Sequence, residues 1–337
     1  MIQRTRIKFV QRPEIEIMRK EPAGQKDIYT GEEKNLLEIC TLCPRECRVD
    51  RFRGGTGYCG TDAGLNIASI CIHKGEEPSI SGPDGICNIF FSSCNMRCIF
   101  CQNHEISRPD HEFRKSPINM EETLDNIEKI LSTGINSVGF VSPSHVVPQV
   151  KAIMRGLKNR GLNPVTIYNT NSYDKRSTIA SLEGMIDIYL PDYKYVTPEL
   201  SKKYSDAIDY PDVALKAIKE MYYQKGSILS VDEKGTAGKG ILIRHLVLPG
   251  HAEESKKVLT TIAEELSTGV HISLMSQYHP TPNVKAHLEL GRTLYKAEYD
   301  SVVETMEKLG FRNGWVQDMD SFQNYNPDFR KEHPFEK

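Results

Sequence analysis

Phe90-Phe91-Ser92-Ser93-Cys94-Asn95-Met96-Arg97-Cys98-Ile99-Phe100-Cys101-Gln102-Asn103 is the stretch around which the rest of the chain is organised. Its apolar start, residues 88–92, predicts a β-strand, and three cysteines spaced C-x3-C-x2-C follow at once. Downstream of it, short apolar runs alternate with amphipathic helical stretches, the pattern of βα units on a parallel sheet. Six strands are expected, at residues 88–92, 137–141, 164–168, 186–190, 241–248 and 271–276. Between them, Asn119 with Glu122 signals a helix start, followed by the face Leu124, Ile127, Ile130 and Leu131. Val146, Val150, Ile153, Met154 and Leu157 form the next face, and Gly161 suits its end. Val213, Leu215, Ile218 and Tyr222 mark a third helix, Val258, Ile262 and Leu266 a fourth, and residues 295–309 a last one. The expected fold class is α/β, six βα units curling into a partial (β/α)6 barrel behind a small N-terminal metal-binding extension. The expected divisions are 1–87 for the extension, 88–290 for the barrel and 291–337 for a C-terminal helix and tail.

The 337 residues suffice for such a domain, and 39% hydrophobic with 26% charged residues is ordinary for a globular protein. No stretch approaches the roughly 18 apolar residues of a membrane span. The first twenty residues are charged throughout and lack the apolar core of a signal peptide. A net charge of −2 with Lys and Arg dispersed gives no large basic face for nucleic acid. Nine cysteines, seven of them in two tight groups, fit metal-bound thiolates in a reducing compartment better than a disulfide framework. A cytoplasmic protein is expected.

Three thiolates in eight residues can wrap three irons of a 4Fe-4S cluster. Clusters that only carry electrons usually have four cysteine ligands. Cys94, Cys98 and Cys101 without a close fourth would leave one iron open to a bound molecule, and S-adenosylmethionine can fill it through its amino and carboxylate groups. A zinc site with His104 as fourth ligand is the alternative by counting.

C-x3-C-x2-C with Phe100 before the last cysteine resembles the signature of the radical SAM superfamily, and Asn103 extends the likeness to the pyruvate formate-lyase activating enzyme. That enzyme has His where this chain has Gln102. The resemblance covers residues 88–280 and implies that polar groups at later strand ends hold the cofactor. Ser142 and Ser144 stand where the family has a Gly-Gly-Glu segment. Asn169 and Asn171 match an Asp-Thr-Asn segment with its charge lost. Asp192 and Lys194 match an Asp-x-Lys motif. Arg244 stands where the activase has an Arg ahead of a Pro-Gly, and its fork suits a carboxylate; if buried it needs an acidic partner. His279 matches a Tyr-His pair and is expected at the adenosine. His245, facing opposite to Arg244 along its strand, is expected on the surface or in the core. The resemblance further implies an activating-enzyme-like oxidoreductase, a flavodoxin- or ferredoxin-type electron donor, and a protein substrate whose glycine loses a hydrogen atom. Radical modification of another peptide or a small molecule is the alternative, and a structural or electron-transfer metalloprotein a third reading.

Cys40, Cys43, Cys47 and Cys59 form a second group, C-x2-C-x3-C-x11-C, a complete tetrahedral set for zinc or a second iron-sulfur cluster. It resembles the N-terminal motif of a branch of activase-related radical SAM proteins. Cys71 and Cys87 fit neither group and are expected to be small buried hydrophobes, Cys87 near the cluster.

Overall fold

The computed structural model describes residues 27–108, 118–321, 327–331 and 334–335. The first twenty residues, used above for the signal-peptide expectation, lie outside them. Helix α1 (Gly31–Glu38) opens the described chain. Thr30 caps it reciprocally: its hydroxyl accepts from Glu33 N while Glu33 accepts from Thr30 N. Strand β1 (Ile67–His73), helix α2 (Pro78–Ser81) and strand β2 (Ile86–Phe91) follow, then α3 (His104–Ser107) and α4 (Met120–Leu131). The next elements are β3 (Ser137–Val141), α5 (Val147–Asn159), β4 (Val165–Thr170), α6 (Arg176–Ala180) and β5 (Ile188–Pro191). Then come α7 (Pro198–Ser205), α8 (Tyr210–Lys225), β6 (Ser230–Val231) and β7 (Ala237–Leu246). The chain continues with α9 (Ala252–Glu265), β8 (His271–Met275), α10 (Lys296–Lys308) and β9 (Gly314–Val316). Among the described residues no helix is long and apolar enough to cross a membrane.

The sheet runs β1-β2-β3-β4-β5-β7-β8-β9, with β6 hairpinned onto β7. All neighbours from β2 to β9 are parallel, whereas β1 and β6 pair antiparallel. The six strands expected from the sequence are β2, β3, β4, β5, β7 and β8. The sheet also takes in β1 on one side and β9 on the other, so strands from both flanking segments extend it. Asn119 accepts from Glu122 N at the start of α4, as its spacing suggested.

The sheet is strongly curved. Four strand steps separate β2 from β7, about 19 Å if flat at ~4.8 Å per step. Yet one carboxylate, that of Glu76 on the β1–β2 loop, lies 3.4 Å from Asn88 of β2, 3.2 Å from Asn169 of β4 and 2.8 Å from Arg244 of β7. Only a wall bent around that carboxylate brings all three within reach, which makes the strands from β2 to β7 part of a barrel wall with α2 and its loop filling the interior. Below this polar level Ile80 of α2 packs with Ile86, Ile167, Ile188 and Leu242 of the strands. Gly139 of β3 leaves room for Asn88, since a Cβ there would stand 2.0 Å from Asn88 Oδ1.

Outside the wall, α4 and α5 press Leu124, Ile127 and Ile153 onto Cys87, Ile89 and Phe140. Cys87 is fully buried on this outer face, so it points away from the three-cysteine loop; its thiol is pushed up to about 12 by burial and by Cys71. It is a small core residue, as is Cys71.

Candidate functional site

The three-cysteine loop leaves the carboxyl end of β2 through Ser93, which holds a left-handed φ of 74° and donates from its backbone to Ile106 O. The loop is pinned along its length. Arg97 N and Ile99 N donate to Ser205 O and Tyr204 O at the end of α7. Phe100 packs on Tyr278 at 6.2 Å, and Gln102 Nε2 donates to Gln277 O. Asn95, wholly buried, donates to Tyr173 O and accepts from Asn171.

Donors are aimed at the sulfurs. Cys94 Sγ accepts from Met96 N at 3.4 Å and from Asn171 Nδ2 at 3.3 Å, and Cys98 Sγ from Ser205 Oγ at 3.1 Å. Burial pushes the Cys94 thiol up to about 12 and also raises Cys101, with Cys98 next in effect on both. Lys194 is near Cys98 and Cys101: burial works to lower its ammonium, but Asp192 and the Cys98 thiol outweigh it and the net shift is upward. Buried thiols of this kind stay protonated until a metal displaces the proton. Among the described residues no group of three or more His, Cys, Asp or Glu side chains stands in ready-made metal-binding geometry. The donor set fits an anionic cluster nonetheless: three thiols on one loop, hydrogen-bond donors on two of the sulfurs and an ammonium opposite.

The other expected residues fall into three places. Asn171, Asp192 and Lys194 stand at the cysteines, with Lys194 Nζ 2.6 Å from Asp192 Oδ2. Asn103 begins α3, its carbonyl accepting from Ile106 N and Ser107 N. His279 follows Gln277 and Tyr278 against the loop, and its Nδ1 is buried without a partner among the described residues. Ser142, at a left-handed φ of 53°, donates from its backbone to Asn169 O. Ser144 is turned away into a buried network with Thr170 and Asp174. Asn169 and Arg244 point into the barrel at Glu76 instead of at the cysteines. His104 Nδ1 faces Gln102 O at 3.4 Å. His245 is a core residue: it is buried against Tyr193 O, and burial lowers it to about 4.

Sequence reasoning missed Glu76 and Glu77. Arg244 Nη1 is 2.8 Å from Glu76 Oε2, and its Nε is 3.4 Å from Glu77 Oε1 and 3.9 Å from Asp192 Oδ1. The signal was the requirement for an acidic partner to a buried strand arginine; the adjacent acids after β1 answer it.

The N-terminal cysteines form a separate site. Cys40, Cys43, Cys47 and Cys59 line one cavity, together with Arg51 and His145. Gly57, at φ 53°, passes so close that a Cβ would meet Cys47 Sγ at 3.0 Å, and Tyr58 N donates to that sulfur at 3.2 Å. Burial pushes Cys43 up to about 12. This loop docks onto the central one: Arg45 Nε donates to Asn95 O and Nη2 to Asp206 O, while the Arg45 and Arg97 guanidiniums lie 3.8 and 4.3 Å from the Tyr58 ring centre.

No family model matches the chain. Uncharacterized protein MJ0674 of Methanocaldococcus jannaschii is 27% identical over 283 residues, which span 82% of this chain and 76% of that protein. Among solved structures, Streptococcus suis SuiB bound to precursor peptide SuiA is 13% identical, with a TM-score of 0.46 over 68% of this chain and 48% of SuiB. SuiB bound to S-adenosylmethionine is 14% identical at the same TM-score, over 69% of this chain and 50% of SuiB. The FeFe-hydrogenase maturase HydG from Carboxydothermus hydrogenoformans is 13% identical, with a TM-score of 0.42 over 64% of this chain and 50% of HydG. The chain spans about half the length of these solved chains.

Proposed function

We propose that this chain is a radical SAM enzyme holding a 4Fe-4S cluster on Cys94, Cys98 and Cys101. One observation carries it: three half-buried thiols on a single loop at the carboxyl end of β2, with Lys194 near them and paired to Asp192, while Cys87 faces the opposite side of the wall. That leaves one iron for a small molecule. Cys94, Cys98 and Cys101 would hold the cluster, which, once reduced by an external donor, would supply the one electron needed for reductive cleavage of S-adenosylmethionine and hydrogen abstraction from a substrate.

The residues have separable roles in this proposal. Asn171 holds Cys94 by its sulfur. Lys194 and Asp192 supply a cation and an anion for the zwitterionic end of the cofactor. His279, with its unpartnered Nδ1, is offered to the nucleoside end, Ser142 to the methionine amino group, and Asn103 to the cofactor beside the loop. Ser144 and Asn169 are bound elsewhere, and Arg244 reaches a carboxylate of the cofactor only by releasing Glu76. The finer proposal is an activating enzyme that takes hydrogen from a glycine of a partner protein, with a flavodoxin- or ferredoxin-type donor, in the cytoplasm.

Anaerobic reconstitution with iron and sulfide, reduction with dithionite and assay for 5′-deoxyadenosine test the core of it. Product that disappears in Cys98→Ala is expected. An iron-loaded, reduced sample that binds no S-adenosylmethionine and forms no product overturns it in favour of an electron-transfer protein.

A further inference from the structure

The cavity between the N-terminal cysteines contains a charge that four neutral thiols do not explain. Arg51 is 2% exposed. Its Nε donates to Thr61 O at 3.0 Å and its Nη1 to His145 O at 2.8 Å, so two of its nitrogens meet only neutral carbonyls. Its Nη2 is buried with no partner among the described residues, and the side chain lines the same cavity as the four thiols. A buried cation without a counter-charge is strongly unfavourable. A tetrathiolate centre supplies that counter-charge: Zn²⁺ or a [4Fe-4S]²⁺ core with four thiolates carries a net charge of about −2. Gly57 leaves the space and Tyr58 N the hydrogen bond that a coordinating Cys47 sulfur would use.

We infer that Cys40, Cys43, Cys47 and Cys59 hold an anionic tetrathiolate metal centre and that Arg51 is its buried counter-ion. The centre is a separate site that braces the central loop, because Arg45, between two of the ligands, holds Asn95 there.

The test uses the full chain with Cys94, Cys98 and Cys101 all changed to Ala, isolated without oxygen. One zinc per chain, or about four irons with matching sulfide, is expected, and the metal identifies which centre it is. Adding Arg51→Gln keeps a donor for Thr61 O but removes the charge, and should weaken metal retention against a chelator by roughly 10–100-fold, with Arg51→Lys intermediate. In the parent triple variant, iodoacetamide should leave the four cysteines unlabelled until chelator is added, a readout that needs no Arg51 variant. A folded triple variant with neither metal and immediately labelled thiols, or Arg51→Gln holding metal as tightly as Arg51, overturns the inference.

Discussion

Glu76 and Arg244 meet at 2.8 Å inside the barrel although 168 residues separate them in the chain. Their side chains are 7% and 13% exposed, so the pair is largely shielded from water. It ties the loop after β1 to the far side of the sheet.

Breaking that pair should therefore unfold more than it rearranges. Glu76→Ala leaves Arg244 with Glu77 at 3.4 Å and Asp192 at 3.9 Å, and removes the acceptor for Asn88 and Asn169. A loss of about 3 kcal/mol in urea unfolding is expected, the size seen when one member of a buried ion pair is deleted. Glu76→Gln should cost less, since it keeps an oxygen for the two amides.

Gly139→Ala puts a methyl where Asn88 Oδ1 now lies, at 2.0 Å. The buried Asn88 amide can give way only by disturbing its hydrogen bond to Glu76. Destabilisation of about 1–3 kcal/mol should appear in thermal unfolding, with partial relief from Asn88→Ala in the double variant.

Asn171→Ala removes a hydrogen bond to Cys94 Sγ and one to Asn95 Oδ1. Iron should still load in reconstitution, but 5′-deoxyadenosine formation should fall about 10–100-fold and the reduction potential should drop, because a donor to sulfur favours the more negative reduced state. Redox titration followed by electron paramagnetic resonance reads the potential directly.

Acid should destabilise the protein in a defined window. Burial holds His145 and His245 at about 4, below the ordinary 6.5, so the unfolded chain binds more protons as pH falls between those values and stability is lost. Asp174 works the other way: burial raises it to about 6, and its proton favours the folded state between about 6 and 3.8. Each group is worth on the order of 3 kcal/mol at ~1.4 kcal/mol per pH unit, so two histidines outweigh one aspartate. Burial also lowers His73 and His251, which act in the same direction, so a net loss of stability from pH 6.5 to 4 is expected in urea midpoints, and His245→Gln should reduce it.

Strand length and the alternation of apolar runs with helical stretches made six of the seven parallel strands legible, because strands buried on both faces are largely apolar. Strand β9 was not legible: three residues, Gly314–Val316, carry no periodicity and pair only because β8 offers an edge. Strand β1 left just an apolar run, 65–71, with no sign that it would run antiparallel. At the candidate site, cysteine spacing marked out two groups that the fold also keeps apart, and strand-end position pointed to Asn171 and Lys194, which stand beside the central loop. Arg244 was singled out correctly as needing an acid, but its partners lie on a loop remote in sequence, where no local pattern could point. The turning of Ser144 toward Asp174 depends on tertiary burial and has no local signature either.

The docking of the N-terminal loop has a consequence for the order of events at the ribosome. Arg45 is fastened by Asp206, Leu42 O by Thr178 and Thr41 O by Lys175, so the elements that shut this loop in are made 134 to 161 residues after it. At ~5–20 residues per second the four thiols emerge on the order of 10–30 s before their cover exists. During that interval they are open to whichever metal reaches the nascent chain first, and equally open to an oxidant; a mistake made then would be sealed beneath α6 and α7 and carried by the finished protein.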